Sequence, residues 1–182
     1  MAAKSNLQDN YLSEGLTTLK SEFINNRDVI RLVARSNRDN AHISQANVVQ
    51  MEREWQQTEG VSLFVVSLTT NDLSDRLKKV QKKNLAVKEI LITDRRGLVI
   101  AATNKTSNFY YGNETWWQNI AEAKKIKGYF GEKTYDKKDG EYNIPLYLTI
   151  LDSQKHTVIG VLRALYSQNK LNRVLTYENH LS

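Results

Sequence analysis

The chain of 182 residues has the length of a single domain, and a chain of this size buries roughly 70% of its unfolded surface. It contains no cysteine, which excludes a disulfide framework, a thiolate metal site and a cysteine nucleophile. Net charge is +6, with lysines gathered in RLKKVQKK (76–83), KKIK (124–127) and DKK (136–138), runs that read first as solvated helix faces and a hairpin tip.

From Leu7 to about Ser36, apolar residues fall at Leu12, Leu16, Leu19, Phe23, Ile30 and Val33, with Asn26 in the vacant seam position. The spacing predicts one long helix of about 45 Å, which must lie along the back of a sheet, meet a second copy of itself, or both. SNRDNAHIS (36–44) breaks the pattern. Ser44 is placed to cap a second helix with Val48, Met51 and Trp55 inward. GVSLFVVSLTT (60–70) is read as a buried helix, and Asn71 as the cap of another with Leu73, Leu77 and Val80 inward.

The period then changes to two. VKEILITD (87–94), an RRG turn and LVIAATN (98–104) form a hairpin, and ETWWQNIAEAKK (114–125) is a helix capped by Asn113. GYFGEKTYD (128–136), YNIPLYLTILD (142–152) and TVIGVLRALYS (157–167) give three consecutive antiparallel strands, and 169–181 a terminal helix. The expected fold is α+β, a five-stranded antiparallel sheet with a long N-terminal helix and helices packed on it. Residues 1–58 carry the leading helices and 59–182 the sheet core and C-terminal helix, in one structural domain.

Nothing converges on catalysis. His42, His156 and His180 are scattered without metal-ligand spacing, no phosphate-binding or nucleophile motif occurs, and Asp94, Glu132, Asp136, Glu141 and Asp152 sit mostly where strands end, as turn acids do. No cofactor and no metal site is expected. No run approaches the roughly 20 apolar residues of a membrane span, and the opening MAAKSN lacks the apolar stretch of a signal peptide.

The segments EILITDRRGLVIAATNKTSNFYYGNETWWQNI (89–120) and TILDSQKHTVIGVLRALY (149–166) resemble the extracytoplasmic Cache sensors, also called PDC domains, which have a PAS-like fold. The residues carrying the likeness are Thr93, Asp94 and Gly97, then Thr103, Lys105, Thr106 and Ser107 with Tyr110 following. Glu114, Trp116 and Trp117 continue it, and Asp152 with Ile159, Gly160, Val161 and Leu162 complete it. The resemblance implies a non-catalytic ligand-sensing domain of a histidine kinase, chemoreceptor or cyclic-dinucleotide enzyme. Such a domain lies in the periplasm or outside the cell, reaches the membrane through flanking segments, and this chain would be its soluble excised part. It also implies a ligand between the sheet and the segment joining strands two and three. Where the amino-acid-binding subgroup has an arginine before the tryptophans and an aspartate late in the last strand, this chain has Glu114 and Leu165. A free amino acid is therefore a poor ligand expectation.

The ligand-binding candidates are Tyr110, Tyr111, Trp116, Trp117, Tyr129, Tyr135, Tyr147 and Arg163, hydroxyls and rings around an apolar cleft with one cation. Trp116 and Trp117 lie about 100° apart on a helix, so one anchors it and the other faces the cleft. Arg163 stands in mid-strand among apolar residues. Three readings are open: an exposed edge residue, a salt bridge to Glu132 or Glu114, or an anion-binding group. The leading seam suggests a homodimer through the N-terminal helix. The rival function, a cytoplasmic basic module binding nucleic acid or protein, has only the net charge behind it, so a small molecule and no nucleic acid is the expected partner.

Overall fold

The computed structural model describes residues 2–122, 128–154 and 157–181, so the KKIK run, the end of the helix expected over 114–125 and His156 lie outside them. The leading segment is not one helix. It comprises α1 (Ala2–Leu19), a π-helical turn (Lys20–Ile24) and α2 (Arg27–Asp39). The backbone N–H of Asn25 donates to the Lys20 carbonyl at 3.0 Å, closing the wider turn. The Asn26 side chain accepts from the N–H groups of Asp28 and Val29 at 3.0 and 3.3 Å. Asn26 is thus an N-cap that restarts the helix, and not a gap in a continuous seam. The burial phase shifts with it, so that Val29 is buried while Ile30 is half-buried.

Leu12, Leu19, Phe23, Val29 and Val33 belong to one core with Ile90, Ile92, Leu148, Leu162 and Tyr166 of the sheet. The seam that suggested a second copy is therefore covered by the chain's own sheet. Close approach is possible because position 15 is glycine: a Cβ there would lie 2.2 Å from the Tyr166 hydroxyl.

Two of the three caps expected downstream hold, while α6 (Thr115–Glu122) begins after Glu114 and not after Asn113. Ser44 accepts from Asn47 N–H at the start of α3 (Gln45–Gln57), and Asn71 from Ser74 N–H at the start of α5 (Asp72–Lys83). Between them α4 (Leu63–Thr69) is a helix, but only Val65 of it is buried and Leu63 is 90% exposed.

The sheet contains β1 (Val87–Asp94), β2 (Val99–Ala102), β3 (Tyr129–Phe130), β4 (Thr134–Asp136), β5 (Glu141–Leu151) and β6 (Val158–Ser167), in the order β2-β1-β6-β5-β3 with β4 also on β5. All these pairings are antiparallel. The expected third strand is divided in two, giving six strands in five positions. β3 pairs with Leu146 and Tyr147, β4 with Glu141 to Asn143, and the gap falls at Pro145. Pro145 directs its carbonyl to Gly131 N–H on that edge, at 2.8 Å, but has no N–H to continue the ladder.

Alternation gives the sheet two buried faces. α1, α2, α5 and α7 (Gln168–Leu181) cover one. α3, α4, α6 (Thr115–Glu122) and the segment 103–113 cover the other, over Leu91, Val99, Tyr147 and Val161. Among the described residues no helix is long and apolar enough to cross a membrane.

The break at Asn26 has a direct test. Asn26→Leu fills the seam of a continuous helix but removes a cap, so urea denaturation is expected to show a loss of about 1 kcal/mol. A gain in stability would mean that the helix runs through.

Candidate functional site

β6 lies in the middle of the sheet, so Arg163 is not an edge residue. Its register partners are Leu91 on β1 and Tyr147 on β5. Neighbouring Leu162 and Ala164 belong to the helix-covered core, which turns Arg163 to the opposite face. There its Nη2 lies 2.9 Å from Oε1 of Glu89, with the two side chains 11% and 12% exposed. A salt bridge exists, but to neither Glu132 nor Glu114. Glu89 takes the role because it pairs with Leu165, two residues from Arg163 and on the same face.

Aromatic rings close over this pair. The guanidinium carbon sits 4.7 Å from the Tyr111 ring centre and 5.1 Å from that of Trp116. Nη2 also donates to the Tyr111 hydroxyl at 3.3 Å. Trp116 stacks on Tyr147 at 5.0 Å and 19°, and Tyr129 meets Tyr147 at 5.5 Å. Cation–π attraction is strongest where water is excluded, as here. Among the described residues, Arg163 Nε is buried without a hydrogen-bond partner. Burial works against the guanidinium charge, but Tyr111 and Glu89 outweigh it and hold its pKa above the usual arginine value. Burial raises the Tyr147 phenol, opposed by Arg163, and burial alone raises Tyr129. Cation and phenols thus shift upward together, Arg163 through its partners and Tyr147 and Tyr129 through burial.

Two elements position the rings. On α6, Trp117 is the anchor: its Nε1 donates to Thr93 Oγ1 at 2.9 Å in the buried interior, leaving Trp116 to face Arg163. The segment 103–113 forms a lid held chiefly from α3. Glu52 accepts from the backbone N–H groups of Phe109 and Tyr110 at 2.8 and 2.7 Å, and Trp55 Nε1 donates to the Thr106 carbonyl at 2.9 Å. Lys105 donates to the Thr58 carbonyl just beyond α3, at 2.7 Å. Inside the lid, the Tyr111 hydroxyl is fixed by Ser107 Oγ at 3.1 Å and by Asn108 N–H at 3.3 Å.

Of the candidates from sequence, the structure brings together Tyr111, Trp116, Tyr147 and Arg163, with Tyr129 at their margin. Tyr110 is in the lid, but its ring lies against Gly112, where an added Cβ would come within 2.6 Å of it. Tyr135 is 53% exposed and packs on Tyr142 at the β4 edge, so it does not belong to the cluster. Glu89 and Glu52 were missed. The signal for Glu89 was available: a charge at an alternating position of an apolar strand, on the face of Leu91 and Thr93. Glu52 carried none beyond its place in MEREW.

No family model and no curated protein matches the chain in sequence. Solved structures match in shape. The extracellular domain of vpHK1S-Z8, assigned as a histidine kinase, superposes with a TM-score of 0.59 at 10% identity, over 96% of this chain and 58% of that one. A domain from Vibrio parahaemolyticus assigned to a sensory box/GGDEF protein gives 0.49 at 13% identity, over 91% and 55%. The sensory domain of the Campylobacter jejuni chemoreceptor Tlp3, solved with isoleucine bound, gives 0.43 at 13% identity, over 92% and 65%. This chain thus spans less than two thirds of each. The first of the three carries the fold comparison: the chain has the α+β fold of that extracellular domain.

Proposed function

We propose that this chain is the non-catalytic ligand-sensing domain of a membrane receptor, and that a small molecule binds between sheet and lid at Arg163. The observation that carries the reading is the buried Arg163 Nε, a donor without an acceptor among the described residues. A buried donor left unmade costs about 1–3 kcal/mol, which a ligand oxygen would recover. The ligand therefore carries a carboxylate or carbonyl oxygen and an apolar part suited to Trp116, Tyr129 and Tyr147. Glu89 already holds the other side of the guanidinium, so an anionic ligand competes with it.

Access to Nε requires Trp116 and Tyr111 to move, and both belong to elements with connections outward. The lid is tied to α3, and β6 runs directly into α7 at Gln168. A ligand that favours one lid arrangement would bias these helices, with residues 1–58 and 59–182 acting as one unit on the extracytoplasmic side. Flanking segments would carry the bias to the membrane. A homodimer would use the outer faces of α1 and α2, because their inner seam is covered.

A thermal-shift screen of metabolites tests the function. A true ligand at 100 times its dissociation constant is expected to stabilise the chain by about 2.7 kcal/mol. A screen of oxygen-bearing metabolites without any hit contradicts the reading. Arg163→Met should abolish the shift and, by stranding Glu89, cost about 3–5 kcal/mol in urea denaturation. The double variant Glu89→Leu/Arg163→Met should recover most of that stability and none of the binding. Trp116→Ala should weaken ligand binding more than Trp117→Phe, and a reversed order would exchange the roles of the two tryptophans.

A further inference from the structure

The break in the leading helix opens a second cleft, of about 820 Å³, which shares no residue with the Arg163 enclosure. Its size is within the roughly 300–1,000 Å³ of small-molecule sites. Lys20 and Ile24 come from the π-helical turn, Arg27 and Ile30 from the start of α2, and Leu151 and Asp152 from the end of β5 and the residue after it. Ile24, Ile30 and Leu151 are half-buried, an apolar wall only partly covered by the protein. Lys20 and Arg27, one from each arm of the break, make no ion pair among the described residues. Asp152, the acid in this lining, has a partner already.

We propose that this cleft binds an amphipathic monocarboxylate, with its head between Lys20 and Arg27 and its aliphatic chain along Ile24, Ile30 and Leu151. Two cations with no ion pair among the described residues, over an apolar wall, match such a molecule in both charge and hydrophobicity, and a guanidinium with an ammonium suits a single carboxylate. The cations come from opposite arms of the break, so an occupant ties the arms together at one angle. π-helical turns of this kind occur often at functional sites. The cleft would be a second input to the leading helix, independent of the site at Arg163.

The test is calorimetric titration of the whole chain with octanoate and decanoate below their micelle concentrations, alongside methyl NMR. The expected result is one saturable site, with shifts centred on the Ile24, Ile30 and Leu151 methyls. Each buried methylene strengthens binding about fourfold, so decanoate, with two more, should bind about fifteenfold more tightly than octanoate. Lys20→Gln/Arg27→Gln should weaken decanoate binding about tenfold or more while the chain stays folded by circular dichroism. Octyltrimethylammonium should not compete. Absence of binding, unsaturable surfactant-like uptake, shifts centred on the lid, or equal affinity in the double variant would each overturn the proposal.

Discussion

A permanent cation in the middle of a sheet cannot be left to itself, and much of this face is arranged around that constraint. Arg163 sits on the central strand, nearly nine-tenths of its side chain out of solvent. Burial of an unpaired guanidinium would be prohibitive, so β1 supplies Glu89 and the lid and α6 supply aromatic faces. The rings need positions of their own. Trp117 bonded to Thr93 holds α6 against the sheet, and α3 holds the lid through Glu52.

This arrangement satisfies the charge but leaves Nε unmet among the described residues, which distinguishes it from an inert buried ion pair. A pair kept only for stability is replaceable by apolar residues at no loss, so an incompletely bonded one calls for another explanation. The proposed ligand would supply it. On the opposite face apolar side chains of α1, α2, α5 and α7 meet those of the strands, Tyr166 is bonded at its hydroxyl by Asn84, and the buried Asp94 carboxylate is met by the Asn40 side chain and the Arg96 and Leu98 N–H groups. One face thus carries most of the aliphatic core, and the other the Arg163 centre at which the ligand is proposed to act.

How far the sequence revealed this follows from where each cause lies. Ser44 and Asn71 were legible as caps because capping involves residues three positions apart. Asn26 was read as a vacancy, since a polar residue inside an apolar repeat looks the same whether the helix continues or restarts. The division of the third strand has its cause on a neighbour, Pro145, and local alternation does not reveal it. The sequence also placed Arg163 in mid-strand but not beside its partner, because Glu89 meets it only through the register of β1 against β6. For Tyr135 the pattern suggested an inward hydroxyl without its distance along the sheet edge. The adjacency of Trp116 and Trp117 forced a division of labour, and only the bond to Thr93 assigned it.

The most direct measurement is a crystal structure of the chain with a small molecule whose stabilising effect survives in the Lys20→Gln/Arg27→Gln variant. The account predicts ligand density within hydrogen-bond distance of Arg163 Nε, with Trp116 moved off Tyr147 and the Trp117 to Thr93 bond intact. Density elsewhere, with Trp116 still stacked on Tyr147 and Nε still unmet, would contradict it.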